Sequence, residues 1–263
     1  LRDGSTFMTK TTRRAVLITG AAARIGRSVA LDLAADGWTV AIHYNGSADE
    51  ANAVVDEITE AGGSAVALSA NLADAAETAT LIDRAVRETG PLTALVNNAS
   101  VFRYDTTASM TVENWDLHQA VNLRAPVQLI QAFAEQLAET ATGSVINIID
   151  QRVWNLTPHF LSYTASKAGL WAVTQTLAMD LAPRIRVNAI GPGPTLPSIH
   201  QTDEEFEAQY RSVPLQRATT LQEICVAVRF LLAANGVTGQ MIALDGGEHL
   251  GWAQPDSGSS TRN

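Results

Sequence analysis

Short runs of β-branched and aliphatic residues alternate along the chain with longer stretches whose apolar positions recur at helical spacing. The apolar runs cover residues 15–19, 39–44, 65–69, 94–97, 144–149, 186–190 and 241–244. Helical patterns start at Ile25, Asp49 and Asp74, and others run over 115–137, 159–181 and 221–234. Strands and helices in strict alternation imply crossover connections, so the expected fold is α/β, a doubly wound parallel sheet with helices on both faces. A continuous apolar run such as 145–149 suits a strand covered on both sides. Residues 190–197 are too rich in Pro and Gly to be regular, and an acidic helix is predicted near 204–210. With no composition break and no repeat, residues 13–250 read as a single domain. Residues 1–12 precede it, and a polar tail over 251–263 is expected to fray.

Composition narrows the class. In 263 residues, 46% apolar and 17% charged, there is enough apolar material for one large core. The formal charge of -9 and the absence of any Lys/Arg run argue against a nucleic-acid partner. A lone cysteine, Cys225 among apolar neighbours, fits a buried helix position and a reducing cytoplasm. No run approaches the roughly 18 apolar residues of a membrane span, and no signal peptide is recognisable, so no membrane partner is expected. Met8 is read as the natural start and residues 1–7 as a remnant of expression. His43, His118, His159, His200 and His249 show no ligand spacing with Cys or acidic neighbours, so no metal is expected.

Chemistry enters with Tyr163 and Lys167, four residues apart in Ser-Tyr-Thr-Ala-Ser-Lys, and with Asp150, thirteen positions before the tyrosine. Positions i and i+4 share a helix face, which puts the ammonium beside the phenol. A cation there is expected to lower the phenol pKa from near 10 toward the range a general acid needs. Thr19-Gly20-Ala-Ala-Ala-Arg24-Ile25-Gly26 follows the first strand and opens the first helix, where backbone N–H groups can hold a pyrophosphate. The second strand ends in His43-Tyr44-Asn45-Gly46-Ser47, with no carboxylate to repel a 2′-phosphate. Arg24, Asn45 and Ser47 are candidates to contact one, so NADP(H) is preferred and NAD(H) remains possible. Asn97-Asn98-Ala99 ends the fourth strand at the ligand-binding edge, though an Asn-rich turn accounts for it equally well. Phe102 reads as core or as ligand contact. Asn122 in mid-helix reads as a satisfied structural amide or a catalytic one. Asp150 is either a turn cap or a group beside the nicotinamide.

Together these residues resemble the short-chain dehydrogenase/reductase superfamily over about residues 15–249, with its single-domain Rossmann-type fold. The Gly turn, Asn-Asn-Ala, Tyr-x-x-x-Lys, the Val187-Asn188 strand with its Pro-Gly loop, and Asp245-Gly246-Gly247 occur in family order. Within it the chain is most similar to pteridine reductases and dihydromonapterin reductases. Arg24 stands where most members carry Gly, and Asp150 where most carry Ser. The His43-Tyr44 pair, Ser47 and Asn98-Ala-Ser100-x-Phe102 also match that group. Gly46 departs from it, since an arginine gripping the 2′-phosphate is usual there, and Asn71 replaces a common aspartate.

The resemblance implies a cofactor held by Gly20, Arg24, Ile25, Gly26, His43, Tyr44, Asn45, Ser47, Asn71, Leu72, Asn98, Ala99 and Ser100. Further on, it implies contacts from Tyr163, Lys167, Pro192, Gly193 and Thr195. A pterin-like substrate would meet Arg24, Ser100, Phe102, Asp150 and Tyr163. Asp150 and Tyr163 would handle protons, Lys167 would hold the nicotinamide ribose, and Asn122 would support a proton relay. An ionised carboxylate only accepts hydrogen bonds, so Asp150 suits the N–H groups of a pterin better than a developing alkoxide. The expected activity is NADPH-dependent reduction of a pterin or dihydropterin. A carbonyl or 3-oxoacyl reductase, and a non-catalytic NAD(P)-binding sensor, are the alternatives. Apolar residues on more than one face of 120–137 and 221–234, with the family likeness, imply a homotetramer. The chain end near His249 and Trp252 would then approach a neighbour's site.

Overall fold

The computed structural model describes residues 14–197 and 201–251. Readings placed on residues 1–13, His200 and the tail from Trp252 lie outside them.

Seven parallel strands form one sheet in the order β3-β2-β1-β4-β5-β6-β7. The first half alternates β1 (Ala15–Ile18), α1 (Arg24–Ala35), β2 (Thr39–Tyr44), α2 (Ala48–Glu60), β3 (Ser64–Ser69), α3 (Ala75–Thr89) and β4 (Ala94–Asn97). The second half holds α4 (Val112–Gln119), α5 (Ala125–Gln136), β5 (Gly143–Ile148), α6 (Leu161–Asp180), β6 (Ile185–Pro192), α7 (Asp203–Arg211), α8 (Leu221–Ala233) and β7 (Met241–Leu244). The doubly wound expectation therefore holds.

Alternate strand residues feed two cores. Val16, Ile18, Val40, Ile42, Val96 and Ile146 pack with Val29 and Leu33 of α1 and Ile224, Val228 and Leu231 of α8. Ala15, Leu17, Leu95, Val145 and Val187 face the other way, onto Leu81 and Ile82 of α3 and Leu129, Ile130 and Phe133 of α5. Every residue of β1 and β5 is buried, the consequence of helices on both faces. Cys225 is buried in α8 as expected, but Val226 and Phe230 of the same helix are each 52% exposed.

Two boundaries differ in an informative way. β6 extends to Pro192, into the expected loop, because its last residues pair with Gly191↔Ala243 and Pro192↔Leu244 of β7. The long helix expected over 115–137 begins earlier, at Val112, and is interrupted by a π turn at Ala120–Arg124. Such a wider turn adds a residue to the spiral and often marks a functional site. Here it carries Asn122. Gly169 of α6 accommodates the turn, since a Cβ there would lie 2.9 Å from Leu123 Cδ2. Among the described residues no helix is long and apolar enough to cross a membrane, and no cluster of potential metal ligands occurs.

Candidate active site

Strand order reverses between β1 and β4, and the loops leaving the two strands part there to open a crevice. Thr19 and Asn98 tie its floor. The Thr19 hydroxyl accepts from the backbone N–H groups of Asn98 and Ala99, both at 2.9 Å. The Asn98 amide donates to the Thr19 and Gly20 carbonyls at 2.8 and 3.0 Å. Gly20 takes φ +62, and a Cβ on it would come 2.9 Å from Ala99 Cα, so only glycine fits this close approach. His43 braces the same turn from β2. Its Nδ1 accepts from the Gly20 N–H and its Nε2 donates to the Ala70 carbonyl, each at 3.0 Å. Burial pushes its pKa down, which keeps the ring neutral as this pairing requires.

Above the floor opens a cleft of about 1130 Å³. Gly20, Arg24, Ile25, His43, Asn45, Asn71, Leu72, Asn98, Ala99 and Ser100 line it on the β1–β3 side and the β4 end. Phe102, Asp150, Tyr163, Lys167, Pro192, Gly193 and Thr195 line the other side. Four expected residues stand outside the wall. Gly26 lies beneath the turn, where a Cβ would collide with the Gly20 carbonyl oxygen. Tyr44 packs against the α1-side core, and Ser47 is exposed at the start of α2. Asn122 is fully buried behind the cleft. Its Oδ1 accepts from the Val101 N–H at 2.8 Å, and its Nδ2 donates to the Val101 carbonyl at 2.9 Å and to Ser166 Oγ at 3.1 Å. Ser166 donates in turn to the Tyr163 carbonyl at 2.6 Å. This amide couples the loop after β4 to the first turn of α6.

The first turn of α1 has no side-chain cap and no acidic residue, so its N–H groups face the cleft without a protein acceptor. α2, α5 and α6 also lack a side-chain cap, whereas α3, α4, α7 and α8 are each capped by an Asp or Thr side chain. That open helix end beside two glycines fits a dinucleotide pyrophosphate. Arg24 sits at its rim with φ +52, a conformation that costs a side-chain-bearing residue of order 1–3 kcal/mol. It donates from Nη1 to the Pro197 carbonyl at 3.2 Å and from Nη2 to that of Leu196 at 3.5 Å, across the mouth of the cleft.

At the opposite end the Tyr163 hydroxyl donates to Asp150 Oδ2 at 2.9 Å. Asp150 Oδ1 accepts from the Arg152 N–H at 2.8 Å, capping the single 3-10 turn Gln151–Val153. Asp150 is thus both a turn cap and a site residue. Burial raises its pKa, against the pull of the Arg152 N–H and guanidinium. The expected effect of Lys167 on the phenol is not what the geometry gives. Lys167 Nζ donates to the Ile148 carbonyl at 2.8 Å, and burial brings its pKa down to about 8. Tyr163 is pushed well above 10 instead, first by burial and then by the charge and hydrogen bond of Asp150. A carboxylate acceptor at contact distance outweighs a cation held behind the ring, 5.8 Å from its centroid.

Two neighbours were not foreseen. Phe160 stacks on Phe102 with centroids 4.3 Å apart, and Phe102 meets Tyr163 edge-on at 4.7 Å. Arg152 lies over the Phe160 ring at 4.9 Å. Phe160 immediately precedes α6 with φ +57, and its N–H donates to the Asp105 carbonyl at 2.8 Å. Its only sequence signal was an aromatic residue three positions before Tyr163.

Comparison with known proteins gives the family. The short chain dehydrogenase family model matches residues 14–208. The 3-oxoacyl-[acyl-carrier-protein] reductase FabG of Staphylococcus aureus is 36% identical over 244 residues, covering 90% of this chain and 98% of that protein. Among solved structures, FolM alternative dihydrofolate reductase 1 from Brucella canis, complexed with NADP, is 49% identical with a TM-score of 0.89. That match covers 93% of this chain and 97% of the other. A short chain dehydrogenase from Burkholderia cenocepacia, also with NADP, is 34% identical with a TM-score of 0.84, over 89% of this chain and 97% of that one. The chain belongs to the short-chain dehydrogenase family.

The positive φ at Arg24 yields a stability test. At an ordinary helical position Arg→Gly costs close to a full glycine penalty, about 1 kcal/mol. Arg24→Gly should leave the melting temperature unchanged or raise it, because glycine relieves the strained backbone. A clear fall in thermal denaturation would show that the tethers to Pro197 and Leu196 outweigh the strain.

Proposed function

We propose that the protein is an NADPH-dependent reductase of a pterin or dihydropterin. The observation that carries this reading is the hydrogen bond from Tyr163 to the partly buried carboxyl of Asp150, which lines the cleft together with the Phe102–Phe160 pair. The 49% identity to FolM reductases crystallised with NADP supports it from outside.

NADP(H) is the cofactor this site fits. Gly20, Arg24, Ile25 and Gly26 would take its phosphates at the uncapped start of α1. Asn45, Asn71 and Leu72 would face its adenosine, Ser47 its 2′-phosphate, and Lys167, Pro192, Gly193 and Thr195 its nicotinamide half. When bound, it supplies the hydride. The chain's own part is the proton and the orientation. Burial raises the Asp150 pKa, so this carboxyl holds a proton for a ring nitrogen more readily than an exposed one would. Tyr163, neutral and donating to Asp150 Oδ2, would hold the carboxyl in place for that transfer. When ionised, Asp150 welcomes the amino and ring N–H groups of a pterin and repels a growing alkoxide. Phe102 and Phe160 offer the platform for a flat ring, with Ser100 and Arg24 at its polar edges. Asn122 acts on the relay by fixing the first turn of α6.

The 36% identity to FabG supports a second reading, reduction of a 3-oxoacyl thioester, in which Asp150 is only a cap. A substrate panel separates the two. NADPH oxidation should be seen with dihydropterin or dihydrofolate and not with a 3-oxoacyl thioester. The reverse result sinks the pterin reading. In the same panel NADPH should bind about tenfold tighter than NADH, the lower end expected of one charge-assisted phosphate contact when Gly46 offers none. Equal affinity would overturn that preference.

The protein is further proposed to be a cytoplasmic homotetramer. Val226 and Phe230 on α8 and Met179 on α6, 75% exposed, leave apolar surface uncovered within one chain. Light scattering at low micromolar concentration should report about four times the 28.0 kDa chain mass. A monomer mass contradicts it.

A further inference from the structure

A second carboxylate faces the same end of the cleft. Glu248 follows β7 in the single 3-10 turn Glu248–Leu250 and lines the wall together with Asp150, Arg152 and Phe160. Its Oε2 is buried with no hydrogen-bond partner among the described residues. That oxygen lies close over Gly193, where a Cβ would stand 3.1 Å from it, so the glycine leaves room for the carboxylate. Arg152, the nearest cation by charge coupling, is turned onto the Phe160 ring at 4.9 Å and makes its ion contact with Asp150, at 4.0 Å. Burial raises the Glu248 carboxyl to about 7; Arg152 opposes the rise, while Asp150 and Asp245 add to it.

A buried, unpaired carboxylate oxygen is costly, and each such group calls for a partner. It is retained here on a cleft wall. An ionised carboxylate only accepts hydrogen bonds, so the partner it lacks has to be an N–H or O–H donor. Resting on the pterin reading, we propose that Glu248 is a specificity-determining residue that binds the 2-aminopyrimidine edge of the substrate through its amino and adjacent ring N–H groups. Asp150 and Tyr163 then serve the ring nitrogen that takes the proton, and Glu248 fixes which way round the flat ring lies on Phe102 and Phe160. The location excludes the adenosine half of the cofactor, and the NADP⁺ titration below separates the substrate from the nicotinamide half that Gly193 borders. Glu248 is coupled in charge to Asp150 and Arg152, on the opposite side of the cleft from Asn45 and Asn71.

The test compares wild type, Glu248→Gln and Glu248→Asp. Each is loaded with NADP⁺ and titrated with a 2-amino-4-oxo dihydropterin and with a pteridine lacking the 2-amino group, and steady-state turnover of the dihydropterin is followed. Glu248→Gln should raise both Kd and KM for the 2-amino compound about tenfold or more, with a smaller change in kcat. Glu248→Asp should recover part of the loss. Affinity for NADP⁺ should stay the same, and the compound lacking the amino group should bind wild type and Glu248→Gln alike. The inference is overturned if Glu248→Gln binds the 2-amino compound as wild type does, if it weakens both pteridines equally, or if it weakens NADP⁺ instead. Those failures appear in the variants while wild type still reduces dihydropterin. A wild-type protein that neither binds nor reduces any pterin overturns the functional reading itself, and this inference with it.

Discussion

Where β1 and β4 part company, two backbones leave a buried sheet in opposite directions with their polar groups unpaired. Thr19 and Asn98 answer that demand together, and the cleft exists because they do. Four hydrogen bonds, donated by Asn98 and Ala99 to Thr19 and Gly20, join the two loops at their roots. Gly20 can then pass against Ala99, and α1 starts without a side-chain cap, its N–H groups turned outward. A cap on α1, or a side chain on Gly20, would satisfy local rules better and close the site. Departures from local preference at such a place are what a ligand site costs the fold.

The chemistry gathers at the other end, where β5 stops. Asp150 has to cap the turn that follows the strand, and its second oxygen is thereby aimed at Tyr163. One residue meets a structural need and a chemical one with different atoms. Of the two readings open at this position, the cap is met by one oxygen, and the other oxygen is left facing Tyr163 at the cleft. The same holds for Asn98, a turn residue that also lines the cleft, and for His43, whose ring works as a brace for the Gly turn.

The sheet was legible because each strand is a short, continuous apolar run between helical patterns, and pairing on both faces makes that signal unambiguous. The Gly turn, Tyr163, Lys167 and Asp150 were legible because their spacing along the chain is fixed by strand and helix ends. What escaped lies in irregular turns. Phe160 and Glu248 reach the cleft wall that holds Asp150 through turns that no periodicity describes, and Glu248 stands 98 residues beyond Asp150 in the chain. The π turn around Asn122 has no signature, since it depends on a loop and on Gly169 across the helix pair. The direction of the Tyr163 shift was misjudged for a related reason. Helical spacing predicts that Lys167 and Tyr163 share a face, but not that the ammonium is spent on the Ile148 carbonyl while a carboxylate takes the phenol.

On the proposed function, the Asp150 carboxyl, bonded to Tyr163, selects C=N over C=O reduction. Asp150→Ser replaces an acceptor-only carboxylate by a hydroxyl able to donate to a carbonyl oxygen. The most direct measurement is the ratio of kcat/KM for a dihydropterin to that for a small ketone, in wild type and in Asp150→Ser, at saturating NADPH. The account predicts that the ratio falls by about a hundredfold or more, the size of a lost general acid, as pterin turnover declines. A ratio left unchanged, with pterin reduction undiminished, would show that Asp150 is a turn cap and nothing more.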